Sequence, residues 1–222
     1  MNNDFQKLFQ YSKPVIIAGP CSAESEKQVL ETAHQLKKHK DLIFRAGIWK
    51  PRTRPNSFEG VGEKGLKLLQ LTKKETGLKT TTEVAKAAHV SLAIKHEVDI
   101  LWIGARTTGN PFAIQEIAEA LKGINIPVMV KNPINPELNL WIGAIERLKD
   151  AGIENIAAIN RGFFAYENSK YRNTPQWQIA VDLKRKFPTI PIICDPSHIS
   201  GKSNLIYEVA QKAMDLNYDG LM

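Results

Sequence analysis

Cysteine is scarce in this sequence, and long apolar runs are absent. The two cysteines among 222 residues, Cys21 and Cys194, are too few for a disulfide scaffold, which excludes the small disulfide-rich secreted domains. The longest apolar runs span only a few residues, as at 15–18, far short of the ~20 that cross a bilayer. The first residues also lack the apolar core of a signal peptide. These absences predict a cytoplasmic protein with no membrane partner.

Neither the apolar content nor the charge is extreme. Hydrophobic residues make up 43% of the chain and charged residues 24%, so a core can form and a disordered protein is excluded. The 30 Lys and Arg residues against 23 Asp and Glu give a net charge of +7, which would suit nucleic acid, an anionic membrane or phosphorylated metabolites. The helical stretches mix both signs, as at Glu116, Glu119 and Lys122, and form no basic stripe. We therefore expect no nucleic-acid partner.

Short β-rich apolar runs alternate with stretches of helical periodicity about eight times. The runs begin at Pro14, Leu42, Leu78, Asp99, Pro127, Ile153, Pro191 and Asp219. This pattern predicts one α/β domain over residues 1–222, a (β/α)8 barrel. An open doubly wound sheet is the main rival, but no GxGxxG motif follows the first run. Because the eighth run stops at Met222, we expect the eighth strand to be truncated.

Charged and polar residues cluster where the apolar runs end. In chain order they are Cys21, Arg45, Lys50, Arg52, Glu83, Arg106, Lys131, Arg161, Asp195 and His198. In a barrel these strand ends meet at one mouth, where converging cations would repel each other unless an anion neutralised them. The substrate is therefore expected to be polyanionic. For any single Lys or Arg, a solvated surface position is the alternative.

Cys21 and His198 are candidate metal ligands, because a thiolate and an imidazole suit first-row divalent metals. Their alternatives are a small buried apolar residue for Cys21 and a loop residue for His198. Asp195 would orient the imidazole or bind substrate hydroxyls. Cys194 is interpreted as structural. The other histidines, at positions 34, 39, 89 and 96, belong to no visible constellation, and residues 49–62 are expected to form a long functional loop.

Five segments together resemble the 3-deoxy-D-arabino-heptulosonate 7-phosphate (DAHP) synthase family. They are GPCSAES (19–25), KPRTRPNSFEG (50–60), IGARTTGNP (103–111), NRG (160–162) and DPSH (195–198). The resemblance runs from about residue 14 to the end of the chain. It implies a (β/α)8 barrel that needs a divalent metal (Mn, Fe, Co or Zn). The implied reaction condenses phosphoenolpyruvate with erythrose 4-phosphate, the first step of the shikimate pathway to chorismate and the aromatic amino acids.

The resemblance also implies roles for individual residues. Phosphoenolpyruvate would be held by Arg45, Lys50, Arg106, Lys131 and Arg161, and the aldose phosphate by Arg52 and Thr53, with Pro51 also among the substrate-binding residues. Cys21 and His198 would bind the metal, with Asp195 against the aldose. We expect Lys131, Asp195 and His198 to be catalytic. The family's remaining Glu and Asp ligands follow the eighth strand, so a chain ending at Met222 is expected to bind metal weakly and to show negligible synthase activity.

Two alternatives remain at this stage. The related 3-deoxy-D-manno-octulosonate 8-phosphate synthase shares the barrel and the phosphoenolpyruvate site, but it carries a KANRSS-like segment where this chain has KPRT at 50–53. A noncatalytic phosphosugar-binding barrel is the other alternative, and retention of Cys21 and His198 argues against it. We further expect a homo-oligomer. The resemblance also allows a chorismate mutase domain fused to or associated with the barrel, since some members of the family carry one.

Overall fold

Eight short parallel strands pair in chain order and close into a barrel. The computed structural model describes residues 4–9, 13–39, 41–52, 54–166 and 169–222. The strands are β1 (Val15–Ala18), β2 (Ile43–Arg45), β3 (Lys79–Val84), β4 (Ile100–Ile103), β5 (Val128–Lys131), β6 (Ile156–Asn160), β7 (Ile192–Cys194) and β8 (Gly220–Leu221). The (β/α)8 barrel predicted from the sequence is therefore confirmed, and each predicted apolar run contains one strand.

Helices follow the strands along the described chain. They are α1 (Asp4–Lys7), α2 (Glu26–Leu36), α3 (Lys64–Thr76), α4 (Ala87–Lys95), α5 (Ala105–Thr108), α6 (Pro111–Ala120), α7 (Leu138–Asp150), α8 (Trp177–Lys186), α9 (Pro196–Ser200) and α10 (Ile206–Asp215), with a 3-10 turn at Ser203–Leu205. Local sequence explains where they begin. The Asn110 side chain accepts from two backbone N–H groups of α6, and Pro111 fits the first helical position. None of the described helices is long and apolar enough to span a membrane.

Alternation along the strands builds two separate apolar layers. Because successive strand residues point to opposite faces, one set fills the barrel interior and the other packs under the helices. The inner set includes Ile17, Ile43, Trp102, Met129, Ile159 and Ile193. The outer set includes Phe44, Leu101, Val128, Val130, Ala158 and Cys194. The fully buried Cys194 thus belongs to the outer layer, where burial raises the pKa of its thiol.

The shortest strand completes the ring. Val15 of β1 pairs with Gly220, and Cys194 of β7 pairs with Leu221, so β8 is bonded on both sides. Two residues suffice for this closure because the backbone groups of Asp219 and Met222 extend the ladder: Val15 N donates to Asp219 O at 3.0 Å, and Met222 N donates to Cys194 O at 2.8 Å. On the outer face of β1, Ile16 remains 37% exposed.

The N-terminal helix packs against the interior of the barrel at the end opposite the mouth. Phe5 is buried among the inner residues, and its ring meets Phe9 edge-on with centroids 5.2 Å apart. Leu8 packs beside them. A polar N-terminal sequence with apolar residues at these three positions therefore covers the lower end of the inner layer.

Removing the Phe5 ring is expected to destabilise the barrel. Phe5→Ala would lower the free energy of unfolding by about 3 kcal/mol, the lower range for a buried phenylalanine, because it leaves a cavity beneath the inner layer. Urea denaturation measures this change. Phe112→Ala is the matched control, since that ring is 90% exposed and its loss should be nearly neutral. Equal losses in the two variants would contradict the covering role of α1.

Candidate active site

The carboxyl ends of the strands surround an open cavity of about 830 Å³. Its walls include the sequence-predicted residues Cys21, Lys50, Pro51, Arg52, Glu83, Arg106, Lys131, Arg161 and His198. Arg45 and Asp195 are buried beside this cavity. The structure thus brings the described candidates together at one mouth. Thr53 lies outside the described residues.

Strand alternation explains why polar side chains converge here. On β2, β5 and β7 the inward position after the last inner apolar residue is Arg45, Lys131 and Asp195 respectively. Arg161 continues the same alternation two residues beyond Ile159. The interior is therefore apolar below and charged above, because each strand changes residue type at its carboxyl end.

A carboxylate with no solvent exposure lies at the centre of these cations. Asp195 Oδ2 accepts from Lys131 Nζ at 2.8 Å and lies 3.9 Å from Arg45 Nη1. His198 Nδ1 is also 2.8 Å from Oδ2, although the two atoms are not aligned for a hydrogen bond. Burial alone would raise the pKa of the Asp195 carboxyl, but Lys131, His198 and Arg45 lower it well below its ordinary value. Asp195 is therefore a buried anion.

The same carboxylate starts a helix. Asp195 Oδ1 accepts from the backbone N–H of His198 at 3.2 Å and from Ser197 Oγ at 2.9 Å, which caps α9. Through this cap the position of His198 is tied to the position of the buried anion. One side chain thus fixes both Lys131 and the imidazole.

An indole forms part of the support beneath the cations. Trp102 Nε1 donates to Glu83 Oε2 at 3.0 Å, and Lys131 Nζ lies 5.7 Å from the centre of the Trp102 ring. An ammonium over an aromatic face is favourable. Glu83 therefore faces the cavity with one oxygen engaged, and Lys131 is held between an aromatic ring and a carboxylate.

Cys21 lies beside His198 and Lys50 at the first strand end. The hydrogen bond to His198 lowers the pKa of the Cys21 thiol to about 6; burial opposes this shift, and the charge of Lys50 adds to it. Lys50 Nζ donates to Cys21 O at 2.6 Å and to Sγ at 3.4 Å. The thiol is therefore prone to ionise at neutral pH, unlike an ordinary cysteine.

Cys21 and His198 suit a first-row divalent metal by the chemistry of their donor atoms. Among the residues that the structure describes, no group of three or more His, Cys, Asp or Glu side chains is arranged to hold a metal ion. The pair therefore fits such an ion in kind and supplies two ligands. A four-coordinate site needs two more.

Hydrogen bonds from the backbone of Lys50 and the side chain of Arg52 join the two arms of the loop after β2. Lys50 N donates to Glu59 O at 2.8 Å, and Arg52 Nε donates to Phe58 O at 2.8 Å. Gly60 has a φ of +99° and passes close under Ile48 O, a position where a Cβ would not fit. The loop predicted at 49–62 thus presents Lys50 and Arg52 to the cavity from a fixed base.

His89, which belongs to no constellation visible in the sequence, contacts the loop after β2. Its ring stacks on Trp49 with centroids 3.9 Å apart and an interplanar angle of 2°. Burial lowers the pKa of His89 to about 4, aided by the charge of Lys86, so the ring is neutral at pH 7. It accepts at Nδ1 from Ala85 N. The sequence reasoning missed this contact because 40 residues separate the two rings.

Three buried asparagines surround the turn that carries Arg161. Asn132 Oδ1 accepts from Arg161 N at 2.7 Å, Asn160 Oδ1 accepts from Gly162 N at 3.0 Å, and Asn173 Oδ1 accepts from Arg161 Nη1 at 2.9 Å. Burial lowers the pKa of Arg161 to about 10. The guanidinium therefore stays charged at pH 7. Sequence reasoning assigned none of these three amides a role, nor Arg172, which also lines the cavity.

The fold and the site together define a class of protein. It is a (β/α)8 barrel whose cation-lined mouth suits a small polyanion, beside the candidate metal ligands Cys21 and His198. Comparisons with known proteins give the family. The DAHP synthetase I family model matches residues 10–222, so the chain belongs to that family.

Individual relatives agree with this assignment. The chain is 33% identical over 207 residues to a phospho-2-dehydro-3-deoxyheptonate aldolase of Thermotoga maritima, covering 93% of this chain and 59% of the relative. A 2-dehydro-3-deoxyphosphooctonate aldolase of Campylobacter jejuni is 28% identical, with 94% and 83% covered. The crystal structure of the Thermotoga maritima DAHP synthase superposes with a TM-score of 0.82 at 30% identity, covering 93% of this chain and 58% of that one. The chain thus spans less than two thirds of the length of its Thermotoga relative.

The lowered thiol pKa predicts how Cys21 reacts. Only the thiolate is alkylated, so the rate of reaction with iodoacetamide should rise with pH through a midpoint near 6, where an unperturbed thiol would show one near 8.5. Peptide mapping after timed alkylation measures the rate. Cys194 is the internal control, because it is fully buried and should remain unmodified in the folded protein. A midpoint above 8 would contradict the proximity of His198 and Lys50.

Proposed function

We propose that this chain is the catalytic barrel of a DAHP synthase, which condenses phosphoenolpyruvate with erythrose 4-phosphate to give DAHP and phosphate. The observation that carries the proposal is the convergence of Lys50, Arg106, Lys131 and Arg161 on one cavity, with Arg45 buried beside it. Phosphoenolpyruvate carries both a carboxylate and a phosphate, which guanidinium and ammonium groups match. On this proposal, residues 1–222 belong to a single catalytic domain.

The two ends of the cavity suit two phosphorylated substrates. Arg161 and Lys131, with Arg106, would hold phosphoenolpyruvate near the carboxyl ends of β4, β5 and β6. Arg52 would hold the aldose phosphate, together with Thr53, at the loop after β2. Substrates held in this way would have their reacting carbons near Cys21 and His198, since those side chains line the same cavity.

The chemistry joins C3 of phosphoenolpyruvate to the aldehyde carbon, after which water adds to C2 and phosphate leaves through cleavage of the C–O bond. An enol phosphate is a weak nucleophile, so the aldehyde must be polarised. A divalent ion held by Cys21 and His198 would supply that polarisation as a Lewis acid. Lys131, held by Asp195 at 2.8 Å, is placed to exchange a proton with the reacting groups.

Cations also stabilise the charges that the reaction moves. Departing phosphate gains negative charge, and Arg161 and Arg106 lie on the wall that would receive it. Asp195 is too deeply buried to meet the substrate from the open cavity, so its contribution would be to orient Lys131 and His198. In this proposal Asp195 therefore affects the reaction only through the positions of Lys131 and His198.

Relatives named octonate aldolases make the eight-carbon reaction the second candidate. The loop residues favour the seven-carbon product, because Pro51 and Arg52 occupy the positions of the KANRSS-like segment in those enzymes. The aldose that is accepted therefore distinguishes the two.

Phosphate release tests the proposal in a version of this barrel that also carries the family's Glu and Asp metal ligands. We expect release from phosphoenolpyruvate with erythrose 4-phosphate, and at least tenfold slower release with arabinose 5-phosphate. Chelation should stop the reaction and a divalent metal should restore it. Faster release with arabinose 5-phosphate would support the octonate reaction, and no release with either aldose, despite phosphoenolpyruvate binding, would support a noncatalytic barrel.

Arg52 should act on the aldose alone. Because one charge-assisted contact contributes about 1.5 kcal/mol, Arg52→Ala is expected to raise the KM for erythrose 4-phosphate roughly tenfold and to leave the KM for phosphoenolpyruvate within about twofold. Steady-state kinetics with each substrate varied in turn measure both. Arg54→Ala is the matched control, an exposed arginine two residues along the same loop. A larger effect on phosphoenolpyruvate would contradict the assignment of the loop.

A further inference from the structure

Asn173 joins two parts of the mouth that come from different strands. It lies in the segment between β6 and α8, and it is 8% exposed. Its Oδ1 accepts from Arg161 Nη1 at 2.9 Å, and its Nδ2 donates to His198 O at 2.6 Å. Its backbone N donates to Ile199 O at 3.1 Å. Both ends of one buried amide are thus engaged, one by the arginine and the other by α9.

These contacts hold one terminal nitrogen of the Arg161 guanidinium. Nη1 donates to Gly162 O at 3.1 Å as well as to Asn173 Oδ1, while the side chain still lines the cavity. Because the guanidinium is planar, engaging Nη1 twice restricts the directions in which its other nitrogens can donate. Without these bonds the side chain would be free to rotate, and ordering it again would weaken anion binding.

The backbone is shaped so that Asn173 can approach. Gly162 has a φ of +78°, and a Cβ at this position would lie 2.7 Å from Asn173 O. Only glycine allows the turn after Arg161 to pass so close to residue 173. The backbone at Gly162 therefore allows residue 173 to lie close to the turn that carries Arg161.

We propose that Asn173 is a positioning residue that holds Arg161 in the orientation that binds phosphoenolpyruvate, by tying its guanidinium to α9. This inference rests on the proposed function for the identity of the anion. Asn173 also lines the cavity, but on this proposal its effect on binding is exerted through Arg161. The distinctive consequence is that its effect on binding disappears when Arg161 is absent.

A double-mutant cycle on phosphoenolpyruvate affinity tests this consequence. Asn173→Ala is expected to weaken binding roughly tenfold, as for loss of one hydrogen bond to a charged group. In an Arg161→Ala background the same change should alter affinity by less than about twofold, because the group that it positions is gone. Isothermal titration calorimetry with phosphoenolpyruvate measures all four proteins. Asn135→Ala, an exposed asparagine in the loop after β5, is the matched control and should bind like wild type.

A second variant keeps the test decisive if Asn173→Ala unfolds. Asn173→Leu roughly preserves the size and shape of the side chain, but it removes both the acceptor for Arg161 Nη1 and the donor to His198 O. It should weaken phosphoenolpyruvate binding at least tenfold in a protein whose circular dichroism is unchanged. Wild-type affinity in either folded variant would overturn the inference, and so would equal losses in the presence and absence of Arg161.

The outcomes separate this inference from the function on which it rests. Phosphate release by the wild-type protein combined with an additive cycle overturns only the role of Asn173. A coupled cycle in a protein that binds phosphoenolpyruvate but releases no phosphate overturns only the synthase function. A wild-type protein that does not bind phosphoenolpyruvate overturns both.

Discussion

The buried carboxylate of Asp195 is the interaction on which the mouth of the barrel depends. An unpaired ion with no solvent exposure would cost several kcal/mol, so Asp195 can remain charged only while Lys131 and Arg45 stay in place. The dependence is mutual, because those cations are themselves buried and need a compensating charge. The carboxylate also caps α9 and thereby places His198. The two carboxylate oxygens of Asp195 therefore neutralise the buried cations and also cap the helix that follows β7.

This constraint explains how far the sequence could predict the site. A strand residue points inward or outward according to its parity, so Arg45, Lys131 and Asp195 could be placed from the apolar runs that precede them. The eight strands were predictable because each lies in a short apolar run between stretches of helical periodicity. The five segments that carry the family resemblance needed no contact information, because each begins at or after the end of a strand in the chain. The apolar runs and their polar ends therefore predict which residues surround the mouth.

The missing part of the site consists of contacts between distant segments. Trp49 lies in the loop after β2 and His89 in α4, 40 positions apart, and nothing in either local sequence indicates stacking. Asn173 reaches back 12 positions to Arg161 and forward 25 to His198, from a segment without regular structure. Neutral polar side chains such as Asn carry no periodic signal, and they become recognisable only when their hydrogen-bond partners are known.

The covering of the lower end of the barrel by Phe5, Leu8 and Phe9 has a kinetic consequence at the opposite end. Because the inner layer is apolar down to these residues, the cations of the mouth rest on a low-dielectric base and face water on one side only. Such a wall focuses the electric field into the solvent above the opening. Phosphorylated metabolites would therefore be attracted before they touch the protein, and their association rate would fall as ionic strength rises.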